Sequence, residues 1–278
     1  MELNRLSWET FTRTGDIDAY LLYKTVSGIT EQEDKDDTWQ KLKQSDYGEG
    51  HRMLTVFTEE YGIVKAVSYG VKKSKSKAAA SSQFLCYGDF DFYKGVGKDI
   101  MTINNIDTLD GFYPVSEDIK KLSLCVYLAD ITYCILGMNN PDSRMLHLFL
   151  NSVYALAYRD EPMDKVKAVY ELKMMSIGGY SPQLNACVSC GSNEVYAFDL
   201  LKGGSVCRAC GGKYIVKLDK NLYRALDYII YSDDKKMLSF NASDGLMKLL
   251  CKIAEQYVEL QLDQKFSSLD YYKTMLTM

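Results

Sequence analysis

The spacing of apolar residues changes character along this chain, and the changes predict its elements. Residues 1–37 form an appendage. Trp8, Phe11, Ile17, Tyr20, Leu21, Leu22 and Tyr23 give a short apolar segment around a turn at Gly15-Asp16. It ends in Glu31-Gln-Glu-Asp-Lys-Asp-Asp37, a charged run that reads as a solvated linker. From about Thr38 to Phe112 the pattern is that of strands. Leu54, Val56 and Phe57 lead into Glu59-Glu-Tyr-Gly62, and Ile63, Val64, Ala66, Val67 and Tyr69 resume after it, a hairpin with Gly62 supplying the turn. Further runs at Gln83–Tyr87, Asp89–Tyr93 and Ile100–Ile106 are separated by glycine-bearing turns at Gly88 and Gly95-Val-Gly97. Short strands at this density predict a small barrel. An OB-fold is the economical choice, and an SH3-like barrel has the same spacing.

After Tyr113-Pro114 the period becomes helical. Ser116 can cap a helix with Glu117 and Asp118 in its first turn, where acidic groups oppose the helix dipole. Ile119, Leu122, Val126, Ala129, Tyr133 and Leu136 recur at steps of three and four and predict its buried face. Asn139-Asn-Pro141 breaks it. A second helix is predicted from Asp142 to Tyr158, with Met145, Leu148, Phe149, Ser152, Ala155 and Leu156 inward, and a third from Asp164 to Ser176, ended by Gly178-Gly179. Farther on, Tyr214–Leu218 reads as a short strand. Asp219 and Ser243 are positioned to cap helices carrying Leu222, Leu226, Ile229 and Ile230, and then Leu246, Leu249, Leu250, Ile253, Ala254, Tyr257 and Leu260. The tail from Phe266 to Tyr272 is apolar enough to pack back on this bundle.

Between the two helical stretches stands Cys187-Val-Ser-Cys190, followed by Cys207-Arg-Ala-Cys210. Two Cys-x-x-Cys pairs at this separation can place four thiolates at the corners of one tetrahedron, the geometry of a closed structural Zn²⁺ site. Gly191 and Gly211-Gly212 trail the pairs, where the backbone must fold back toward the sulfurs. Adjacent disulfides would need an oxidising compartment, and a lone redox pair would need a βαβ context that the pattern lacks. With no open fourth position for water, the metal reads as scaffold, and the helices before it as a bundle on which the knuckles dock.

Composition adds limits. The chain has 278 residues, 47% of them hydrophobic and 25% charged, enough for one large core or two to three smaller ones. Residues 1–20 are too polar for a secretory signal and no apolar run reaches membrane-spanning length, so eight cysteines point to a reducing cytoplasm. Cys86, Cys125, Cys134 and Cys251 sit singly among apolar residues and read as core. The net charge of −4 argues against indiscriminate binding to nucleic acid, but nine acidic and four basic residues lie within 1–37. The remainder is near neutral, and any basic surface is local. Lys72, Lys73, Lys75 and Lys77, spaced by serines between strands, form such a patch. It reads either as a phosphate-binding loop or as a solvated one. Arg52 and Lys65 are its neighbours in the strand region. No phosphate-loop motif is present and only His51 and His147 are available as imidazole bases, so no enzyme is indicated.

Two resemblances extend this reading. Ser7-Trp-Glu-Thr-Phe-Thr-Arg-Thr-Gly-Asp-Ile-Asp-Ala-Tyr-Leu-Leu22 resembles the short bacterial YqzL-like family. Ser45-Asp-Tyr-Gly-Glu-Gly-His-Arg-Met-Leu-Thr-Val-Phe-Thr-Glu-Glu-Tyr-Gly62 resembles the first hairpin of the RecO family of recombination mediators, and Gly70-Val-Lys-Lys-Ser-Lys-Ser-Lys77 the basic loop after it. Tyr170 to Gly191, with the second Cys pair and Phe266-Ser-Ser-Leu-Asp270, is similar to that family's helix, knuckles and tail. The resemblance spans about residues 38–278. His51 departs from it, standing where an acidic residue is common.

The resemblance implies a multidomain α+β protein. An N-terminal OB-fold β-barrel at 38–112 would be followed by an α-helical domain at 113–186 and 213–278, carrying a four-cysteine zinc site at 187–212. It implies binding and annealing of single- and double-stranded DNA, help in loading recombinase onto protein-coated single strands, association with RecR, and contact with the acidic tail of single-stranded-DNA-binding protein. Lys72, Lys73, Lys75 and Lys77, then Arg52 and Lys65, are the expected DNA contacts, with Tyr69, Tyr87 and Tyr93 as stacking candidates. Lys120, Lys121 and Arg144 flank apolar helix faces and are the candidates for the acidic tail. The other reading is a zinc-stabilised interaction scaffold that does not touch DNA.

Overall fold

In the computed structural model the described residues are 51–69, 83–95, 97 and 99–278, with the backbone of 21–24. The loop bearing Lys72, Lys73, Lys75 and Lys77 and most of the N-terminal extension lie outside them. The chain forms two compact units. One runs through Glu117 and takes in Leu136–Leu150; the other holds Asp118–Ile135 and Asn151–Met278.

The first unit is built on five strands: β1 (Leu21–Lys24), β2 (Arg52–Thr58), β3 (Gly62–Ser68), β4 (Tyr87–Tyr93) and β5 (Met101–Asp110). Their order is β1-β2-β3-β5-β4, and β1 also pairs with β4, so the ladder returns on itself. β2 and β3 are the predicted hairpin. Gly62 has φ +68° there, and a Cβ on it would fall 2.3 Å from the carbonyl oxygen of Asn140. Thr58 clamps the turn: its hydroxyl donates to the Gly62 carbonyl and accepts from the Tyr61 N–H, both at 3.0 Å. Alternation sends Leu54, Val56, Val64 and Ala66 to one face, where they pack with Cys86, Phe90, Met101 and Ile103. The other face also buries Met53, Phe57, Ile63 and Val67. Met138 forms a parallel bridge with Ile63 along the strand edge, and the Asn139 N–H donates to the Ile63 carbonyl.

Two strand expectations differ from what is found. Leu21–Lys24, inside the extension, is a sheet strand. Gln83–Tyr87 is not a strand of its own: a turn ending at Cys86 leads into β4, and Gly88 lies within that strand. Glycine is needed at 88 for close approach, because a Cβ would sit 2.3 Å from the Asp107 carbonyl oxygen opposite a β-bulge.

A short helix, α1 (Tyr113–Ser116), absorbs Ser116, so the cap of α2 (Ile119–Leu136) is Asp118. Its Oδ1 accepts from the N–H groups of Lys120 and Lys121. The buried side of α2 also differs from the predicted one. Ala129 and Leu136 are buried as expected, but so are Leu124, Cys125, Tyr127, Leu128, Ile131 and Thr132, whereas Ile119 is 48% exposed and Leu122, Val126 and Tyr133 are only partly covered. The helix is apolar nearly all round, so periodicity cannot select a face. Polar partners do: Tyr127 donates to Glu171, and the hydroxyls of Thr132 and Tyr170 bond to each other and each bonds the Leu128 carbonyl. α3 (Ser143–Tyr158), capped by Asp142, buries the six residues expected to face inward.

In the second unit α4 (Met163–Ile177) packs against α5 (Lys220–Tyr231) and α6 (Asp244–Leu262), with α7 (Ser267–Thr277) as the last helix. Asp219 and Ser243 cap α5 and α6 as read from the sequence. Between α4 and α5 lie three short strands, β6 (Ala197–Asp199), β7 (Gly204–Val206) and β8 (Ile215–Lys217), in the order β7-β6-β8. The residue pattern predicts only the last of them. Among the described residues no helix is long and apolar enough to cross a membrane.

Candidate metal centre and its surroundings

The two Cys-x-x-Cys pairs come together as their spacing implies. The sulfurs of Cys187, Cys190, Cys207 and Cys210 all lie within 4.8 Å of one another, and those of Cys190 and Cys207 are 3.8 Å apart. Among the described residues this is the one group of three or more donor side chains that could hold a metal ion. Each pair is a tight knuckle. Gly191 closes the first, with φ +75° and its N–H on the Cys187 carbonyl at 2.8 Å. In the second, the Cys210 N–H bonds the Cys207 carbonyl at 3.2 Å.

The backbone aims at the sulfurs. The N–H of Cys207, then those of Ser189 and Cys190, hold the Cys187 thiol down to about 6. Hydrogen bonding with the thiols of Cys207 and Cys190 pushes Cys210 up to about 12. One thiolate therefore forms easily and a further one beside it is opposed. A divalent cation removes that repulsion and displaces the remaining protons, so the donor set fits a metal held by four thiolates.

Two residues hold the knuckles in register, and sequence reading passed over both. Asp199, at the end of β6 and 1% exposed, accepts from Leu201 N–H and Lys202 N–H at 3.1 Å through Oδ1 and from Gly212 N–H at 3.2 Å through Oδ2. Glycine follows the second pair for this reason, since a Cβ at 212 would lie 2.8 Å from that carboxylate. Lys202 spans both knuckles, donating to Ser189 Oγ at 3.1 Å and to the Cys210 carbonyl at 2.7 Å. The legible signal was Asp199-Leu-Leu-Lys-Gly203, a side-chain-capped turn before a glycine. α6 anchors the module, with Gln261 Nε2 donating to the Leu200 carbonyl at 2.7 Å and the Tyr257 and Phe198 rings 5.7 Å apart.

The other expected contacts are distributed differently. The β2–β3 register pairs Arg52 with Ser68 and Lys65 with Thr55, which puts the two cations on opposite faces of the ribbon. Tyr87 is fully buried, so it cannot stack on a ligand, while Tyr69 and Tyr93 are more than half exposed. His51 packs edge-on against Tyr69 at 4.7 Å. Lys121 lies 3.7 Å from Asp160, and Arg144 is bound to Asp142 at 2.7 Å, so both charges are partly matched locally. A cleft of 430 Å³ in the second unit is lined by Pro162, Phe240 and Met247, with Lys165 and Lys248 set against Asp164 and Asp244.

The chain thus joins a strand-based N-terminal unit to helices that carry a cluster of four cysteines. The Recombination protein O N-terminal model matches residues 41–112 and the C-terminal model residues 116–270, so the chain belongs to the RecO family. It is 32% identical over 238 residues to a DNA repair protein RecO of Acetivibrio thermocellus, covering 84% of this chain and 94% of that protein. It is 28% identical over 237 residues to a protein of the same name from Alkaliphilus metalliredigens, covering 84% of this chain and 96% of that one. Residues 5–47 match the YqzL-like protein model. Membership assigns the chain a role in DNA repair and recombination.

Proposed function

We propose that this protein is a non-enzymatic recombination mediator that binds and anneals DNA and helps load recombinase onto protein-coated single strands. The observation that carries the reading is the match to both RecO domains, with this chain's two cysteine pairs meeting in one cluster. The strand unit acts as an OB-fold. The four thiolates hold one structural Zn²⁺, the divalent ion that soft tetrahedral sulfur sites favour. Lys72, Lys73, Lys75 and Lys77 contact phosphates of single- and double-stranded DNA, with Arg52 and Lys65 contributing from separate faces of their hairpin. RecR and the acidic tail of single-stranded-DNA-binding protein are the protein partners, and the cytoplasm is the compartment. For the tail, Lys120, Lys121 and Arg144 are the proposed cations.

A salt-titrated binding and annealing assay on single strands tests this. Wild-type protein should bind and anneal at physiological salt. Changing the four loop lysines to alanine should lower the salt-slope magnitude by about 0.7 for each phosphate no longer neutralised. A wild-type protein that neither binds nor anneals DNA would leave the zinc-stabilised scaffold as the reading.

A further inference from the structure

From Leu200 to Leu226 six cations stand against one carboxylate, Asp219, in a chain whose net charge is −4. Asp219 is occupied as the α5 cap, accepting from Asn221 and Leu222 N–H groups at 2.9 Å. Two of the cations serve the knuckles. Lys202 ties them together, and the Arg208 guanidinium lies 4.8 Å from the centre of the Tyr196 ring.

Lys213, Lys217, Lys220 and Arg224 have no such role. All four are exposed, and none forms an ion pair among the described residues. Lys217 lies on the edge strand β8, opposite Ala197 and not an acidic residue. Lys220 opens α5, where a positive charge opposes the helix dipole and costs stability. Lys213 sits 5.5 Å from the ring centre of Tyr214, itself 40% exposed.

We infer that this edge of the metal module, from Lys213 to Arg224, is a second phosphate-binding surface that takes the backbone of single-stranded nucleic acid. The inference rests on the DNA-binding reading above and adds a site to it. Cations recur every three to four residues along the edge strand and into the next helix, which suits a polyanion of repeating charge. An exposed tyrosine among them offers a stacking face for an unpaired base. A row of cations with an exposed ring favours a nucleic acid over an acidic peptide, which needs apolar anchors as well as charge.

The test is a quadruple variant of the full chain, K213Q/K217Q/K220Q/R224Q, titrated with single-stranded DNA across a salt series. Metal content and thermal unfolding are read in parallel. Affinity near 0.1 M salt should fall on the order of tenfold, and the salt slope should shrink by about 0.7 for each phosphate no longer neutralised. The weakening should add to that of the loop-lysine variant. Unchanged affinity and slope overturn the inference while wild-type binding keeps the DNA reading; absent wild-type binding sinks both. Unchanged DNA binding with abolished binding to a poly-glutamate peptide overturns it in favour of an acidic protein partner. If the quadruple variant loses metal, the pair K217Q/K220Q decides by the same two readouts.

Discussion

Lys167 Nζ lies 2.8 Å from Oε1 of Glu171, one turn along the same helix, with both side chains sealed from water. The same ammonium reaches Glu255 on α6 at 3.2 Å, and Glu255 in turn is paired with Lys273 on α7. The Tyr127 hydroxyl of α2 donates to Glu171 at 2.7 Å. Four helices are thus joined by one charged network that is buried at Lys167 and Glu171 and reaches the surface at Lys273.

The network gives stability a dependence on pH at both ends. Burial draws Lys167 down, but Glu171 and Glu255 outweigh it and hold the ammonium above its ordinary value of 10.5. Its contribution is full below 10.5 and is lost as pH rises through the folded value above that. Glu255 is lowered from 4.5, because Lys273 and Lys167 outweigh its burial, so its contribution is lost as pH falls through a value below 4.5. Glu171 runs the other way: burial lifts it, so acid favours its folded form and softens that loss. Urea midpoints measured across pH should fall at both extremes, and Glu255→Gln should flatten the acid limb.

Removing the shared cation should cost more than neutralising one of its partners. Lys167→Met leaves Glu171 buried with no cation and Glu255 held by Lys273 alone, a loss of about 3–5 kcal/mol. Glu171→Gln keeps an acceptor for Tyr127 and leaves Lys167 paired with Glu255, so its cost should be well below that. Equilibrium unfolding of both variants checks the order.

Asp199 should matter to a bound metal without touching it. In Asp199→Ala three backbone N–H groups around the knuckles lose their acceptor. Each orphaned donor costs about 1–3 kcal/mol, and metal affinity should drop about 10–100-fold, as for other residues that orient ligands. Competition with a chelator reads the second effect directly.

Cys190→Ser and Cys207→Ser should each abolish stoichiometric metal binding and lower the unfolding temperature, because metal binding in such sites is coupled to folding. Elemental analysis of purified protein is the measurement. Retention of one metal per chain in either variant would remove the assignment.

Gly62→Ala should destabilise the first unit. Left-handed backbone alone costs an L-residue about 1–2 kcal/mol, and the added Cβ would meet the Asn140 carbonyl oxygen at 2.3 Å. Thermal unfolding should show a lower midpoint with metal content unchanged.

Much of this was legible in local pattern. The β2–β3 hairpin, the α5 and α6 caps and the inward face of α3 follow from alternation, helical period and side-chain caps, all of which act within a few residues. The four-cysteine cluster was legible for a related reason. Two Cys-x-x-Cys pairs constrain each other whatever lies between them, because four thiolates must meet one tetrahedron. The resemblance that led to the family likewise rested on short motifs taken in series.

What the tertiary structure decided is what depends on partners distant in the chain. α2 is apolar on most sides, so its buried face was chosen by Glu171 and Tyr170 on another helix, not by its own period. Gly88 reads as a turn residue but stands in a strand, because the backbone of β5 leaves no room for a side chain. Asp199 and Lys202 look like ordinary loop residues until the second knuckle closes over them. Sequence by itself determined the β2–β3 hairpin, the main helices and which cysteines meet, but not β1, β6 or β7. Which faces turn inward and which polar groups hold the metal site were settled only where separate elements met, since each buried donor and acceptor needs a partner its own segment does not contain.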